Sequence, residues 1–375
     1  MKYITDVVIV GAGVIGCSIA YALRKQGIDV VVLDKNAVGA QASQAASGML
    51  APLKPFADPS DPYTRLLLSS LARFPDLVPE LEDASDMCLA YQSSGTLRVM
   101  QTKRLSRLRA WVSTWRNQGF PVQLLIDDEI RQYEPGLATD IPLVLYNPHD
   151  PQLNALQLVR AYACAAERLG AMFYTHEEVI AIDHHHEQIT GVRTSQGKTI
   201  ACTYLVLATG AWAAQSDWLR ITLPVSPLRG QSIAVRQPTP SLQHMVFGGG
   251  IYLAPKKDET IIIGVARDEA GFEIQTTPES QAWLYGTAKR LVPALDECPI
   301  ERAWAGLLPR TPDTRPLLGF APSWNNVILA CGLNGYGLLL SAITGPTIVE
   351  QIVTNRIPES LRTFSPERFV VKSGS

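Results

Sequence analysis

The segment VVIVGAGVIGCSIAYALRKQGIDVVVLD, Val7 to Asp34, constrains the fold more than any other part of the chain. An apolar strand over Asp6–Val10 runs directly into Gly-x-Gly-x-x-Gly at Gly11, Gly13 and Gly16. A helix over Val14–Lys25 and a second strand over Asp29–Leu33 complete a βαβ unit, with Gly27 where the helix must stop. Gly11 makes the tight turn, Gly13 lets backbone approach a pyrophosphate, and Gly16 allows the helix to pack closely on the strand. The free N–H groups at the helix start, near Val14 and Ile15, favour phosphate charge. Asp34, 21 residues after Gly13 and followed by Lys35, stands where a carboxylate accepts from a ribose hydroxyl. It would repel a ribose phosphate. The unit therefore implies FAD or NAD as ligand.

At 375 residues the chain exceeds the usual limit of one hydrophobic core, so two domains are expected. Its 33 basic and 35 acidic residues give a net charge of -2, which offers no electrostatic reason to expect nucleic acid. The glycines and polar residues of the first segment argue against a secretory signal. No run of 18 apolar residues predicts a spanning helix. A cytoplasmic protein is the expectation, and association with a membrane surface stays open. Cys17, Cys88, Cys164, Cys202, Cys298 and Cys331 form no CxxC pair and are expected to be reduced. His184, His185 and His186 are consecutive in a polar stretch and read as a solvated hairpin turn, with no metal spacing.

Farther along, Gly39–Leu50 is rich in Gly, Ala and Ser, suited to close approach of backbone to something bulky. Tyr63–Leu81 has helical spacing interrupted at Pro75. Leu97–Met100 reads as a strand, Lys103–Gln118 and Asp127–Tyr133 as helices. A strong helix follows Asn154, its cap, with Leu156, Val159, Ala163 and Ala166 inward. From Val179, three strands form a meander that leads into ATGAWA at Ala208–Ala213. Val225–Val235, Ile251–Pro255 and Thr260–Ala266 alternate as an antiparallel sheet. Thr276–Leu291 reads as helix, Trp304–Leu318 as a proline-interrupted segment, and Val327–Ala330 as a strand before a glycine turn and a long apolar helix. The tail after Arg356 is polar and expected to be loosely held.

NAD enzymes usually continue with further alternating parallel units, which this chain does not show clearly. Its C-terminal glycine-to-helix element instead suits the electron-rich side of a reduced flavin. From VIVGAGVIG with Asp34, SGML at Ser47–Leu50, ATGAWA, YLAPKK at Tyr252–Lys257, WAGLLPRTPDTRPLLG at Trp304–Gly319 and CGLNGYGLLLSAITG at Cys331–Gly345, the chain resembles the FAD-dependent D-amino-acid oxidase superfamily. Within it, the glycine oxidase and sarcosine oxidase-like branch is nearest, and the likeness runs from Val7 to about Val353.

The resemblance implies a Rossmann-like cofactor domain, over residues 1–88, 150–222 and 300–365, interleaved with an antiparallel-sheet substrate domain over 89–149 and 223–299. It places Gly11, Gly13, Gly16 and Asp34 at the ADP half of FAD. Ser43, Ser47, Gly48 and Met49 would run beside the ribityl chain and flavin, Val179 would meet the adenine side, and Gly210 with Trp212 would line the crevice. Gly332, Gly335, Tyr336, Gly337 and Leu338 would lie near the ring. Gly306 stands where covalently flavinylated relatives carry cysteine, so non-covalent FAD is implied.

The chemistry implied is oxidation of a small amino acid or secondary amine by hydride transfer to flavin N5, giving an imine that water hydrolyses. Glycine, sarcosine, a D-amino acid and proline are the options, with oxygen or another acceptor taking the electrons. The family's substrate cations are missing: arginines are replaced by Leu308 and Gly335, and a lysine by Leu339. Arg310 is a candidate carboxylate ligand or a salt-bridge residue. Tyr252 matches a tyrosine that assists carboxylate binding, or is a satisfied sheet tyrosine. Lys54 could enter the pocket or remain solvated, Arg229 could brace the sheet, and Tyr336 could cover the substrate cavity. Two alternatives follow: an amine without an α-carboxylate or a bulkier substrate, and a catalytically silent flavoprotein subunit of a complex. A homo-oligomer is a family-based expectation.

Overall fold

A computed structural model describes residues 2–100 and 105–369. The nucleotide unit builds the first of two eight-stranded sheets. Strand Lys2–Val10 lies at its centre, flanked in parallel by Thr199–Leu207 on one side and Val30–Asp34 on the other. Beyond these lie Met172–Thr175 at one edge and Val327–Cys331, then Leu317–Phe320, at the other. Alternation along the central strands explains their continuous apolar runs. Val7, Ile9, Val30 and Val32 pack against the helices, while Val8, Val10, Val31 and Leu33 pack against the meander Val179–His185, Gln188–Thr194 and Thr199–Leu207.

Three helices cover the first face: Val14–Lys25, Ala155–Arg168 and Gly337–Thr354. Asn154 caps the second by accepting from the Gln157 N–H at 3.1 Å. Val159, Ala163 and Ala166 face inward as expected, whereas Leu156 is only half-buried. The third helix is long and apolar enough, with mean hydropathy 1.3, to cross a bilayer by length and composition, yet 67% of it is buried inside the protein. Its apolarity is spent on core contacts. Gly345 permits the closest of them, since a Cβ there would lie 2.6 Å from the Ser18 carbonyl oxygen.

The second sheet runs in the order Ile300–Arg310, Ser226–Arg236, Thr260–Asp268, Ile251–Pro255, Met245–Gly248, Thr96–Val99, Leu143–Asn147 and Gln123–Ile126. All pairings are antiparallel except Met245–Gly248 with Thr96–Val99. One rung, Leu97, Val246, Leu253, Ile263 and Ile233, belongs to an apolar core completed by helix Pro278–Leu291. The adjacent rung, Arg98, Phe247, Tyr252, Gly264, Ser232 and Trp304, points the other way, because successive strand residues alternate faces. That second face turns toward the cofactor domain.

Several expectations need correction. Ile300–Arg310 is an 11-residue strand of the second sheet, although proline interruption and the expected boundary at residue 300 put it with the cofactor domain. It occupies the sheet edge, where the N–H that Pro309 lacks has no ladder partner to lose. The C-terminal tail is not loosely held through Phe369: turns at Glu359–Phe364 and Pro366–Phe369 bury Leu361 and Phe364 completely. The expected helix over Tyr63–Leu81 is two helices, Pro62–Leu71 and Phe74–Ser85, with Pro75 in the first turn of the second, where its missing N–H costs nothing. Leu105 begins the first described turn of the helix expected from Lys103, which lies outside the described residues.

Candidate cofactor cleft and substrate face

The turn at Gly11 is held by its N–H donating to the Leu33 carbonyl at 2.7 Å. Its φ of +112° is open to glycine, and a Cβ there would meet the Ala208 carbonyl oxygen at 2.4 Å. A Cβ on Gly16 would lie 1.8 Å from the Gly11 carbonyl oxygen. Both positions exclude any side chain by backbone contact, so helix and strand meet as closely as two chains can. Asp34 accepts from the Ala12 N–H and, through its other oxygen, from the Asn36 N–H, both at 2.7 Å. Burial raises its pKa, while these two donors pull it down. Two fixed donors hold the carboxylate in place on the cleft wall.

That cleft has about 1340 Å³ of space between its walls, part of it open to solvent. Gly11, Gly13, Val14, Ile15, Asp34 and Lys35 line one end. Ser43 lines it as well, its hydroxyl accepting from the Val14 N–H at 3.0 Å. Val179, Gly210 and Trp212 form another wall, with the Lys35 ammonium 4.7 Å from the Trp212 ring centre. Gly335, Gly337 and Leu338 line it too, Gly335 beside Leu308 and Gly337 beside Val14. Thr209 also lines the cleft, and its buried hydroxyl has no partner among the described residues. A glycine cradle at a helix start, a carboxylate at the neighbouring strand end and an unpartnered hydroxyl fit a dinucleotide with ribose hydroxyls.

Ser47, Gly48, Met49, Gly332 and Tyr336, expected at the cofactor, stand off these walls, as does Gly16, which packs on the Gly11 backbone. Gly48 is packed on the Leu153 carbonyl, where a Cβ would come within 1.9 Å, and Met49 bridges to Gln152. Ser47 is buried beside them in sequence, and Gly332 is pressed against the Thr311 methyl. Among the described residues no His, Cys, Asp and Glu group could hold a metal ion.

The second sheet approaches the cleft through the Trp304 indole, which donates to the Ala45 carbonyl at 3.0 Å, and through Gly306, where a Cβ would meet the Ala45 methyl at 2.5 Å. Of the substrate candidates, Lys54 and Tyr336 come together, the ammonium 5.1 Å from the ring centre. Tyr63 meets the Tyr336 ring edge-on. Tyr252 lies over Gly264, whose missing Cβ leaves space for the phenol, and against Phe247. Arg310 is tied to Glu269 at 2.8 Å and to the Ser226 hydroxyl at 3.3 Å, off the cleft walls. Arg229 is buried and braces Asp268 across the sheet, Nε to Oδ1 at 2.8 Å.

A group the sequence reading did not single out lies on the same sheet face. Arg98 stacks on the Phe247 ring, its guanidinium carbon 3.9 Å from the ring centre. Nearby Asp150 is fully buried, accepting from the Thr96 hydroxyl at 2.6 Å and the Asn147 amide at 2.7 Å. Lys256 donates to Gln152 at 2.6 Å, and burial lowers its pKa to about 8. The alternation of TLRV already puts Arg98 opposite Leu97, but only the sheet order shows what it faces.

Burial also pushes the Asp150 carboxyl up to about 6 from its ordinary 3.8, against the opposing pull of Thr96 and Arg98. The folded state therefore holds this proton more tightly than the unfolded one. The associated stability is full below about pH 4 and is lost as pH rises through about 6. The side-chain amide introduced by Asp150→Asn would mimic the protonated carboxyl, its carbonyl accepting from the Asn147 amide and its own N–H donating to the Thr96 hydroxyl. This variant is expected to be more stable than the parent at pH 8 by on the order of 2 kcal/mol relative to any effect at pH 4. Thermal melts of both proteins at the two pH values check this, and a pH-independent difference refutes it.

Comparison with known proteins agrees with the cleft. The family model described as FAD dependent oxidoreductase matches residues 6–351. A glycine oxidase from Geobacillus kaustophilus is 32% identical over the whole of both chains. The crystal structure of glycine oxidase from that organism superposes with a TM-score of 0.91, covering 98% of this chain and all of that one at 33% identity. A bifunctional protein ThiO/ThiG from Synechocystis is 35% identical over 99% of this chain, which spans only 55% of that protein. The chain is an FAD-dependent oxidoreductase belonging to the D-amino-acid oxidase family, in its glycine-oxidase-like branch, whose common chemistry is oxidative deamination of amino-acid-like substrates.

Proposed function

We propose that this chain oxidises the C–N bond of a small amino acid or secondary amine, with glycine, sarcosine, a D-amino acid or a proline-like imino acid as the substrate class. The observation that carries the reading is the meeting of the cofactor domain, at Ala45, with Trp304 of a sheet face whose same rung presents a tyrosine, Tyr252, and a stacked arginine, Arg98, both just off the cleft walls. Glycine oxidase likeness over the full length supports the same class.

FAD, when bound, supplies a two-electron acceptor at N5 for the hydride of the substrate α-carbon. The chain's own work is orientation and exclusion of water. Gly11, Gly13 and Gly16 with the helix start at Val14 would hold the pyrophosphate, and Asp34 a ribose hydroxyl. Leu308 and Gly335 would give the ring an apolar border. The rings of Phe247, Tyr252 and Tyr336 would shape the space in which a neutral amine meets the cofactor. The close contact of Gly306 with Ala45 leaves no room for a thiol, which supports non-covalent attachment. Oxygen or another acceptor completes the turnover.

The absence of a cation at Leu308, Gly335 and Leu339 favours a second reading, an amine without an α-carboxylate, although Leu339 is buried in the C-terminal helix and weighs least of the three. Anaerobic mixing of the FAD-loaded protein with glycine, sarcosine, D-alanine, L-proline and ethylamine separates the two. Bleaching of the flavin band by one or more of the amino or imino acids, and not by ethylamine, is expected. Bleaching by ethylamine alone transfers the assignment to the second reading. Silence toward every compound, with a second chain that co-purifies, identifies a non-catalytic subunit.

A further inference from the structure

We propose that Arg98 is the carboxylate-binding residue of this chain, in place of the cations missing at Leu308 and Gly335; the inference rests on the amino-acid reading above. Strand Thr96–Val99 turns Leu97 into the apolar core and Arg98 to the opposite face, in register with Phe247 and, one strand farther, Tyr252. Phe247 covers one flat face of the guanidinium. Stacking of this kind uses the π-face of the cation and leaves its five in-plane N–H groups unspent.

Those donors find no partner among the described residues: neither an ion pair nor a hydrogen bond to Arg98 is present there. The nearest acid, Asp150, is directed elsewhere, its two oxygens taken by Thr96 and Asn147. Burial disfavours the Arg98 charge, and Asp150 opposes this with a favourable field. A partly buried guanidinium held in plane by an aromatic ring, without a bonded carboxylate, matches a bidentate ligand that arrives from outside. Tyr336, with Lys54 beside it, brings the C-terminal glycine turn near the same charge. The carboxylate would then sit at the end of the substrate away from the flavin, with the amine and α-carbon between Arg98 and the ring.

Arg310 does not offer the same opportunity. Its guanidinium is already paired with Glu269 and Ser226. Arg229 is likewise engaged with Asp268.

The test uses the full-length FAD-loaded protein and two probes, read by perturbation of the flavin absorption band. Glycolate keeps the carboxylate of glycine and exchanges its amine for a hydroxyl; ethylamine keeps an amine and has no carboxylate. R98M retains an apolar stem over Phe247 and removes the charge, whereas R98K retains charge and loses the planar fork. Glycolate Kd is expected to weaken on the order of 100-fold in R98M and about 10-fold in R98K, with FAD content and Tm retained. Ethylamine perturbation should change by less than about twofold. Glycolate binding by R98M within about threefold of the parent protein overturns the assignment, even if glycine still reduces the parent flavin. A parent protein that responds to ethylamine and ignores glycolate removes the amino-acid reading itself, and this inference with it. Should R98M fail to fold, R98K decides alone: undiminished glycolate affinity rejects the role.

Discussion

Replacement of Gly16 by alanine is expected to give a protein with less than about a tenth of its normal FAD and stability lower by about 3 kcal/mol or more. The added methyl would stand 1.8 Å from the Gly11 carbonyl oxygen and 3.0 Å from its carbon. Gly11 cannot withdraw, because its own backbone is fixed to the Leu33 carbonyl and abuts that of Ala208. Helix Val14–Lys25 would have to move instead. Behind it, Ser18 is in close backbone contact with Gly345 of the C-terminal helix, so the displacement meets a second packed interface. It would also shift the N–H groups that face the pyrophosphate. Gly27 gives the matched control: its φ is +75°, but nothing lies within 4 Å of an added Cβ, so G27A should cost about 1 kcal/mol and leave FAD in place. The ratio of flavin to protein absorbance, with thermal melts, measures both. Full FAD content in G16A, with Tm within a few degrees of the parent, would show that the clash relaxes without moving the helix.

The contrast between these glycines explains what sequence alone can reveal. Gly11, Gly13, Gly16 and Asp34 belong to one local unit, where spacing within 24 residues determines which backbones meet. The placement of Gly11, Gly13 and Asp34 on the cleft is therefore legible, as are the packing of Gly16 on Gly11 and the helix after Asn154, whose cap lies within three residues of its donor. Strand Ile300–Arg310 was not. Pro309 argues against a central strand, and only the assembled sheet reveals that this strand is an edge. The same limit applies to Gly48 and Gly332. Gly48 answers to Leu153 and Gly332 to Thr311, each on a different segment of the fold, although their local motifs suggested cofactor contact. Arg98 shows the complement: strand alternation gives its side, while Phe247 and the engagement of Asp150 come from other segments.

Glu134 carries that argument to its largest energetic consequence. It follows the helix Asp128–Tyr133 and precedes Pro135, a context that marks a helix end and nothing more. In the fold its side chain is fully buried, and one oxygen accepts three donors: the Gln243 N–H at 2.9 Å, the His244 N–H at 3.0 Å and the His244 ring Nδ1 at 3.1 Å. The other oxygen has no partner among the described residues. The carboxylate thereby fixes the turn that enters strand Met245–Gly248, which delivers Phe247 to Arg98. E134A would leave three part-buried donors without their acceptor, and a loss of about 2–3 kcal/mol is expected. E134Q should behave differently, because its carbonyl can keep all three acceptor contacts while its amide replaces the unpartnered oxygen and removes a buried charge. Its stability is expected within about 1 kcal/mol of the parent. Denaturant midpoints separate the outcomes. Equal losses in E134A and E134Q would mean that the negative charge, and not the three-donor acceptor, holds the turn. If the acceptor is what matters, E134Q should also preserve glycolate affinity, because Phe247 would remain beneath the Arg98 guanidinium.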